Sequence, residues 1–276
     1  MRVLLASDGS SASQRAIRWL GEFAPTMDIK VTVLTVATLT EPPRQSQTMS
    51  ELRESVAAEA HETAEAAATI LRRRWPDVQT LVTEGDPRIE IVRAAEETQA
   101  DMIALGARGL GRLKRFLIGS ASLAAARYAP CPVAIVKGRP RPVRSALIAI
   151  DGSAGARAAL RFLSLFQLVR DARVSLLHVL QGSKAASEDS GKQRANAERM
   201  LADASAELGE VRYPVERLVV DGDPAQQIVS IARSHHIDLV VLGARGLRTI
   251  GRLLLGSVSE TVLHHVSCTV VIVREG

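Results

Sequence analysis

The sequence predicts an α/β protein made of two tandem domains, each a parallel sheet with helices on both faces. Three observations carry this. Gly106-Ala107-Arg108-Gly109-Leu110 recurs letter for letter as Gly243-Ala244-Arg245-Gly246-Leu247, 137 positions on, and a repeat of domain length organises a whole fold. Within each copy, short apolar runs alternate with longer helical stretches, the order that builds βαβ units. The apolar runs also lack polar alternation, as strands covered on both faces do.

The same offset of 137 carries Asp101 to Asp238, Gly85-Asp86-Pro87 to Gly222-Asp223-Pro224, Gly119-Ser120 to Gly256-Ser257 and Cys131 to Cys268. Nearer the start of each copy the offset is 143, taking Asp8-Gly9-Ser10 to Asp151-Gly152-Ser153 and Val36 to Val179. The six-residue difference falls in Ala37 to Ser50, where Pro42-Pro43 marks a loop. Lys137 to Arg144, rich in Pro, Gly and Arg, reads as the linker. The domains are therefore expected at 1–138 and 144–276, each near the common domain size.

Element by element, Val3 to Ser7 and Ala146 to Ile150 are first strands. Ser10 and Ser153 can cap helices expected to run to about Ala24 and Val169. Ile29 to Val36 and Arg173 to Val179 are second strands, followed by Ala- and Glu-rich helices over Ser50 to Arg74 and Ser187 to Leu208. Third strands lie near Gln79 to Thr83 and Val215 to Val220. Pro87 and Pro224 suit the first turn of the next helix, with Asp86 and Asp223 as its caps. Asp101 to Gly106 and Asp238 to Gly243 are fourth strands; Val133 to Val136 and Thr269 to Val273 are fifth strands.

Composition narrows the function classes. At 46% apolar and 24% charged, the chain is globular in type. No apolar run approaches the roughly 20 residues that cross a bilayer, and Val3 to Ala6 is too short for a signal peptide's core. A cytoplasmic protein without membrane association is expected. Two cysteines make no disulfide framework. The net charge of +5 is mild, and 8 aromatic residues in the chain leave little for base stacking, so no nucleic-acid partner is expected.

The densest chemical signal follows each fourth strand. Gly106 to Ser122 and Gly243 to Ser259 both fit G-x2-G-x9-G-S with a further Ser two positions on. Glycines let backbone N–H groups approach a phosphate and adopt positive φ. The Gly-Ser then opens a helix, whose free N–H groups and dipole suit an anion, and Ser120, Ser122, Ser257 and Ser259 can add hydroxyl donors. The same glycines could instead make only a tight strand-to-helix connection. Six of the nine residues between Gly109 and Gly119 differ from their counterparts while the glycines keep phase, which favours recognition of a ligand through the backbone.

A strand ending in D-G-S, a later G-D-P, the G-x2-G-x9-G-S loop and a closing C-P-V-type strand together resemble the universal stress protein family, over essentially the whole chain. The resemblance implies two Rossmann-like domains of the adenine nucleotide alpha hydrolase-like type, each with five parallel strands in the order 3-2-1-4-5. It implies one ATP per domain, with magnesium as an accompanying ion, and a nucleotide-dependent regulator more than an efficient enzyme. By position, Asp8 and Asp151 would contact adenine, Val36 and Val179, ending second strands, would line the base pocket, and Ala6 and Ala149 would also be cofactor-binding. Gly106, Gly109, Gly119, Ser120 and Ser122 would hold ribose and phosphates, as would Gly243, Gly246, Gly256, Ser257 and Ser259. Arg108 and Arg245 either touch phosphate or face solvent. Ser7 stands where Ile150 and most relatives are apolar, and loop cations differ: Arg112, Lys114 and Arg115 against Arg248 and Arg252. In that strand order strands 1 and 4 are neighbours whose connections diverge, the crevice where open α/β sheets bind ligands.

Two rival readings stay beside this one. A slow ATPase or phosphotransferase is the first. The G-x4-G spacings at Gly106 and Gly246 are followed by Arg-Leu where a P-loop needs Lys-Ser/Thr, and the adjacent pairs His235-His236 and His264-His265 do not suit a metal. The second is a protein-interaction module with incidental nucleotide. Asp86 and Asp223 have metal binding as a minor alternative to capping, and Cys131 and Cys268 read as small core residues. Arg72-Arg73-Arg74 reads as a helix C-terminus. In the family, fifth strands pair across dimer interfaces, which implies a pseudo-twofold tandem; a further homodimer and a regulatory protein partner are also expected.

Overall fold

A computed structural model of the chain describes residues 1–22, 28–39, 48–108, 118–165, 168–169, 171–182, 188–208, 213–246 and 255–274. The chain forms two compact units, Met1–Pro140 and Arg141–Gly276.

The first unit runs β1 (Arg2–Ala6), α1 (Ser11–Gly21), β2 (Lys30–Ala37), α2 (Met49–Arg72), β3 (Gln79–Glu84), α3 (Pro87–Glu97), β4 (Met102–Gly106), α4 (Ser120–Tyr128) and β5 (Val133–Val136). Its strands are parallel in the order β3-β2-β1-β4-β5. The second unit runs β6 (Ser145–Ala149), α5 (Ala154–Ser164), β7 (Arg173–Leu180), α6 (Glu188–Glu207), β8 (Val215–Asp221), α7 (Pro224–Ser234), β9 (Leu239–Gly243), α8 (Ser257–His265) and β10 (Thr269–Val273). Its parallel order is β8-β7-β6-β9-β10. Each unit is thus Rossmann-like with the expected 3-2-1-4-5 arrangement. Because crossovers between parallel strands are right-handed, α1 and α2 pair on one side of the sheet and α3 and α4 on the other, as do α5 with α6 and α7 with α8.

The core follows from the strand sequences. Leu4, Leu5, Met102, Ile103 and Ala104 in β1 and β4, and Leu147, Ile148, Val240 and Val241 in β6 and β9, are all buried. Burying such a side chain is worth about 1.5–3 kcal/mol, so the central strands anchor each unit. The third strands at the sheet edge, β3 and β8, have no buried residue.

Caps set the helix starts. Ser10 and Ser153 accept hydrogen bonds from the Ser13 and Ala156 amides. Thr48 and Glu51 form a reciprocal capping box on α2. Asp86 and Asp223 cap α3 and α7, each with proline at the first turn. At the opposite strand ends, the Asp101 carboxylate accepts from the Arg2 amide (2.6 Å), and Asp238 accepts from Arg144 and Ser145 (2.9 and 3.1 Å). This pair of repeated acids ties the start of the first strand to the start of the fourth.

Two helices end earlier than the sequence suggests. α1 stops at Gly21, a poor helix former. α5 stops at Ser164, short of Val169; there the Leu168 carbonyl accepts from the Tyr213 hydroxyl (2.8 Å), a tertiary partner in place of a helical one. The Arg72-Arg73-Arg74 cluster ends α2, and Arg72 bonds Glu65 (2.7 Å) and the Val78 carbonyl. Cys131 is buried and Cys268 half-buried, and neither forms a disulfide.

Candidate functional site

The crevice lies where β1 and β4 end side by side, and its repeat where β6 and β9 end. After the first strand, the Asp8 carboxylate accepts from the Ser10 amide (3.1 Å) and Asp151 from Ser153 (2.9 Å). This Asx-type turn needs a left-handed residue between, which Gly9 (φ +75°) and Gly152 (φ +82°) supply. The Ser10 hydroxyl lies 3.5 Å from the Arg108 carbonyl, linking this turn to the chain leaving β4. Asp8 is exposed and Asp151 half-buried.

The glycines after β4 and β9 play distinct parts. A Cβ on Gly106 would stand 2.4 Å from the carbonyl carbon of Ala12, and one on Gly243 would stand 2.6 Å from that of Gly155. The first glycine is therefore required for the first helix to pack against the fourth strand. A Cβ on Gly246 would stand 2.5 Å from an Asp151 carboxylate oxygen, so the second glycine makes room for the acid of the D-G-S turn. Gly109, Gly111, Arg112, Lys114, Arg115, Arg248, Gly251 and Arg252 lie outside the described residues. Gly9 and Gly152 have positive φ, as do Gly85 and Gly222, whereas Gly106, Gly119, Gly243, Gly246 and Gly256 do not.

Each loop is closed at its base by the same ladder. Ala107 donates to Val136 (3.0 Å) and Gly119 donates to Ala107 (2.8 Å); Ala244 donates to Val273 (2.7 Å) and Gly256 to Ala244 (2.8 Å). Gly119 and Gly256 then begin α4 and α8 with no side-chain cap. By contrast, Ser10, Thr48, Asp86, Ser153 and Asp223 cap α1, α2, α3, α5 and α7 with their side chains. The first N–H groups of α4 and α8, at the positive end of the helix dipole, are left without that satisfaction. Ser120 and Ser257 are exposed there. Ser122 and Ser259 are buried and spend their hydroxyl protons on the Gly106 and Gly243 carbonyls, both at 2.8 Å. Those two hydroxyls fasten the helix to the strand end and have no proton left for a ligand.

Ala6, Val36, Arg108 and their counterparts Ala149, Val179 and Arg245 are all half-buried around the same strand ends. The loop after β2 is tied to Gly85: its amide donates to Ala37 (3.1 Å) and its carbonyl accepts from Thr38 (3.2 Å). Asp86 accepts from the Arg88 amide (2.9 Å) and guanidinium, and the guanidinium holds its carboxyl below the usual carboxylate range. Asp223 accepts from the Gln226 amide (2.9 Å). Among the described residues no group of three His, Cys, Asp or Glu could hold a metal ion.

One residue at the second site was not singled out from the sequence. His178 in β7 places Nδ1 2.7 Å from the Ile150 carbonyl, directly before Asp151. Its counterpart Thr35 is buried, with no hydrogen-bond partner for its hydroxyl. The available signal was the offset of 143, which aligns a threonine with a histidine one position before each proposed base-pocket valine.

A model of the universal stress protein family matches residues 1–137 and again 142–274. A universal stress protein of Mycobacterium tuberculosis is 29% identical over 99% of this chain and 96% of its own length. One from Thermus aquaticus is 31% identical over 48% of this chain but 98% of its own, the length of a single unit. Among solved structures, a universal stress protein from Archaeoglobus fulgidus is similar in fold, with a TM-score of 0.76 at 23% identity, covering 100% of this chain and 98% of that one.

Proposed function

The chain belongs to the universal stress protein family, and from that premise we propose that each unit binds one ATP and that the protein acts as a nucleotide-dependent regulator. The observation that supports this most is the uncapped start of α4 and of α8 beside the hydrogen-bonded base of the glycine loop. An anion there meets backbone donors and the positive end of a helix dipole. The triphosphate would lie against the amides of Ser120 and Ser257, with Gly119, Gly256 and the loops containing Gly109 and Gly246 around it. Asp8 and Asp151, acceptors at the neighbouring strand ends, would take the adenine amino group, with Ala6, Val36, Ala149 and Val179 against the ring. Arg108 and Arg245, two residues beyond β4 and β9, would balance phosphate charge, with magnesium sharing it.

ATP serves in this reading as a signal that the protein holds, not as a substrate that it turns over rapidly. No helix among the described residues is long and apolar enough to cross a membrane. We assign the protein to the cytoplasm, as a homodimer that presents a nucleotide-dependent surface to a regulatory partner.

Calorimetric titration with ATP and magnesium tests the assignment. Wild type should bind two ATP per chain, and Asp8→Ala or Asp151→Ala should each weaken one site and leave the other. Two unaltered sites in the Asp151→Ala protein would sink the residue assignment.

A further inference from the structure

Between α5 and α6 of the second unit lies a furrow of about 460 Å³, within the ~300–1,000 Å³ typical of small-molecule pockets. Its floor is Ile150, Ala156, Leu160, Met200 and Ala204, and its rim carries Arg157, Arg199, Asp203 and Glu207. The α6 residues 196, 199, 200, 203, 204 and 207 recur at helical spacing, so one face of the helix forms one wall.

The internal repeat supplies a control for what is special here. Where the second unit has Ile150, Ala156 and Met200, the first has Ser7, Ser13 and Thr63. Three positions that carry hydroxyls in the first unit are apolar in the second. Where the second unit has Arg157 and Arg199, the first has Gln14 and Glu62, so two cations stand in place of an amide and an anion. The Thr63–Met200 equivalence is structural as well. Thr63 lies 3.5 Å from where a Cβ on Gly9 would be, and the Met200 methyl lies 3.3 Å from the same point on Gly152.

Arg157 and Arg199 face the furrow from opposite helices. Arg157 donates to the Gly152 carbonyl (2.9 Å) and Arg199 to the Asn196 side chain. Neither is paired with a carboxylate among the described residues. Asp203 and Glu207 follow Arg199 by one and two turns on the α6 wall, where they would repel a second negative charge. Met200 is unbranched and adaptable, the kind of side chain that yields to a variable apolar body.

We infer that this furrow is a binding site for a small amphipathic monocarboxylate, its head held between Arg157 and Arg199 and its apolar body laid on Ile150, Leu160 and Met200. The site is separate from the glycine loop and does not depend on nucleotide. Calorimetry with decanoate below its micellar range, on the full chain without nucleotide, should give one site per chain. The double substitution Arg157→Gln with Arg199→Glu installs the first unit's residues at exposed positions. It should weaken binding at least about tenfold, the size of a lost charge-assisted hydrogen bond, while circular dichroism stays unchanged. Decylamine should not bind in the furrow, and saturating ATP should not displace decanoate. Two decanoate sites per chain, undiminished affinity in the double variant, equal binding of decylamine, or displacement by ATP would each overturn the inference.

Discussion

Replacing Gly106 with alanine should destabilise the first unit, and the size of the effect can be worked from the packing. The new Cβ would stand 2.4 Å from the Ala12 carbonyl carbon and 2.5 Å from its oxygen. Ordinary contact begins at 3.4 Å, so α1 or β4 must move by roughly 1 Å at a point where backbone meets backbone. α1 cannot tilt freely, because Ala16, Ile17 and Leu20 are buried beneath it. Overpacking of this kind costs about 1–3 kcal/mol. Gly106 has no left-handed φ, so alanine also recovers about 0.4–1 kcal/mol by restricting the unfolded chain. The net loss is about 1–2 kcal/mol, or roughly 3–8 °C in the melting of a unit this size. Gly21, at the end of α1, has nothing within 4 Å of its would-be Cβ; Gly21→Ala should raise the midpoint slightly, by helix propensity alone. Urea and thermal melts of the two variants, followed by circular dichroism, should therefore move in opposite directions. A Gly106→Ala protein as stable as wild type would refute the packing argument.

Three further outcomes follow from the same geometry. In Gly246→Ala the clash is with the end of the Asp151 side chain, which can rotate away; melting should change little, while ATP affinity at one of two sites falls about tenfold in calorimetry. Ser122→Ala removes a buried 2.8 Å hydrogen bond to the Gly106 carbonyl and should cost about 1–2 kcal/mol in urea melts, whether or not nucleotide is bound. Hydrogen bonds from Thr48 hold Glu51, from Arg72 hold Glu65, and from Arg88 hold Asp86 below their usual pKa values. Groups depressed on folding contribute stability that is full above the ordinary carboxylate range, near ~4, and is lost as the pH falls through the lowered values. Melting temperatures should drop on acidification below about pH 4, and Thr48→Val, which removes the hydroxyl but keeps the backbone amide that lowers Glu51 most, should flatten that dependence only slightly.

The alternation of elements was legible because buried parallel strands and amphipathic helices leave different periods in a sequence. β5 and β10 match their expected limits, Val133 to Val136 and Thr269 to Val273. The caps at Ser10, Asp86, Ser153 and Asp223 were legible because capping is local chemistry. What depended on tertiary contact was not. Nothing local announces that Tyr213 takes the Leu168 carbonyl and that α5 stops short of it. At the candidate site, the repeat marked two equivalent loops but could not divide labour within them. Gly106 serves helix packing, Gly246 makes room for Asp151, and Ser122 turns its hydroxyl back to the strand. The furrow beside α6 leaves no local signal for a similar reason. An Ala- and Glu-rich helix reads as a solvated face, and only comparing equivalent positions exposes the change from Gln14 and Glu62 to Arg157 and Arg199.

The central claim is that both units hold ATP, and the most direct measurement is to denature gently purified protein and count the released nucleotides per chain by mass spectrometry. Close to two adenine nucleotides per chain, mostly ATP, are expected. Release of none, together with no binding when ATP and magnesium are added back, would contradict it and leave both glycine loops as structural turns.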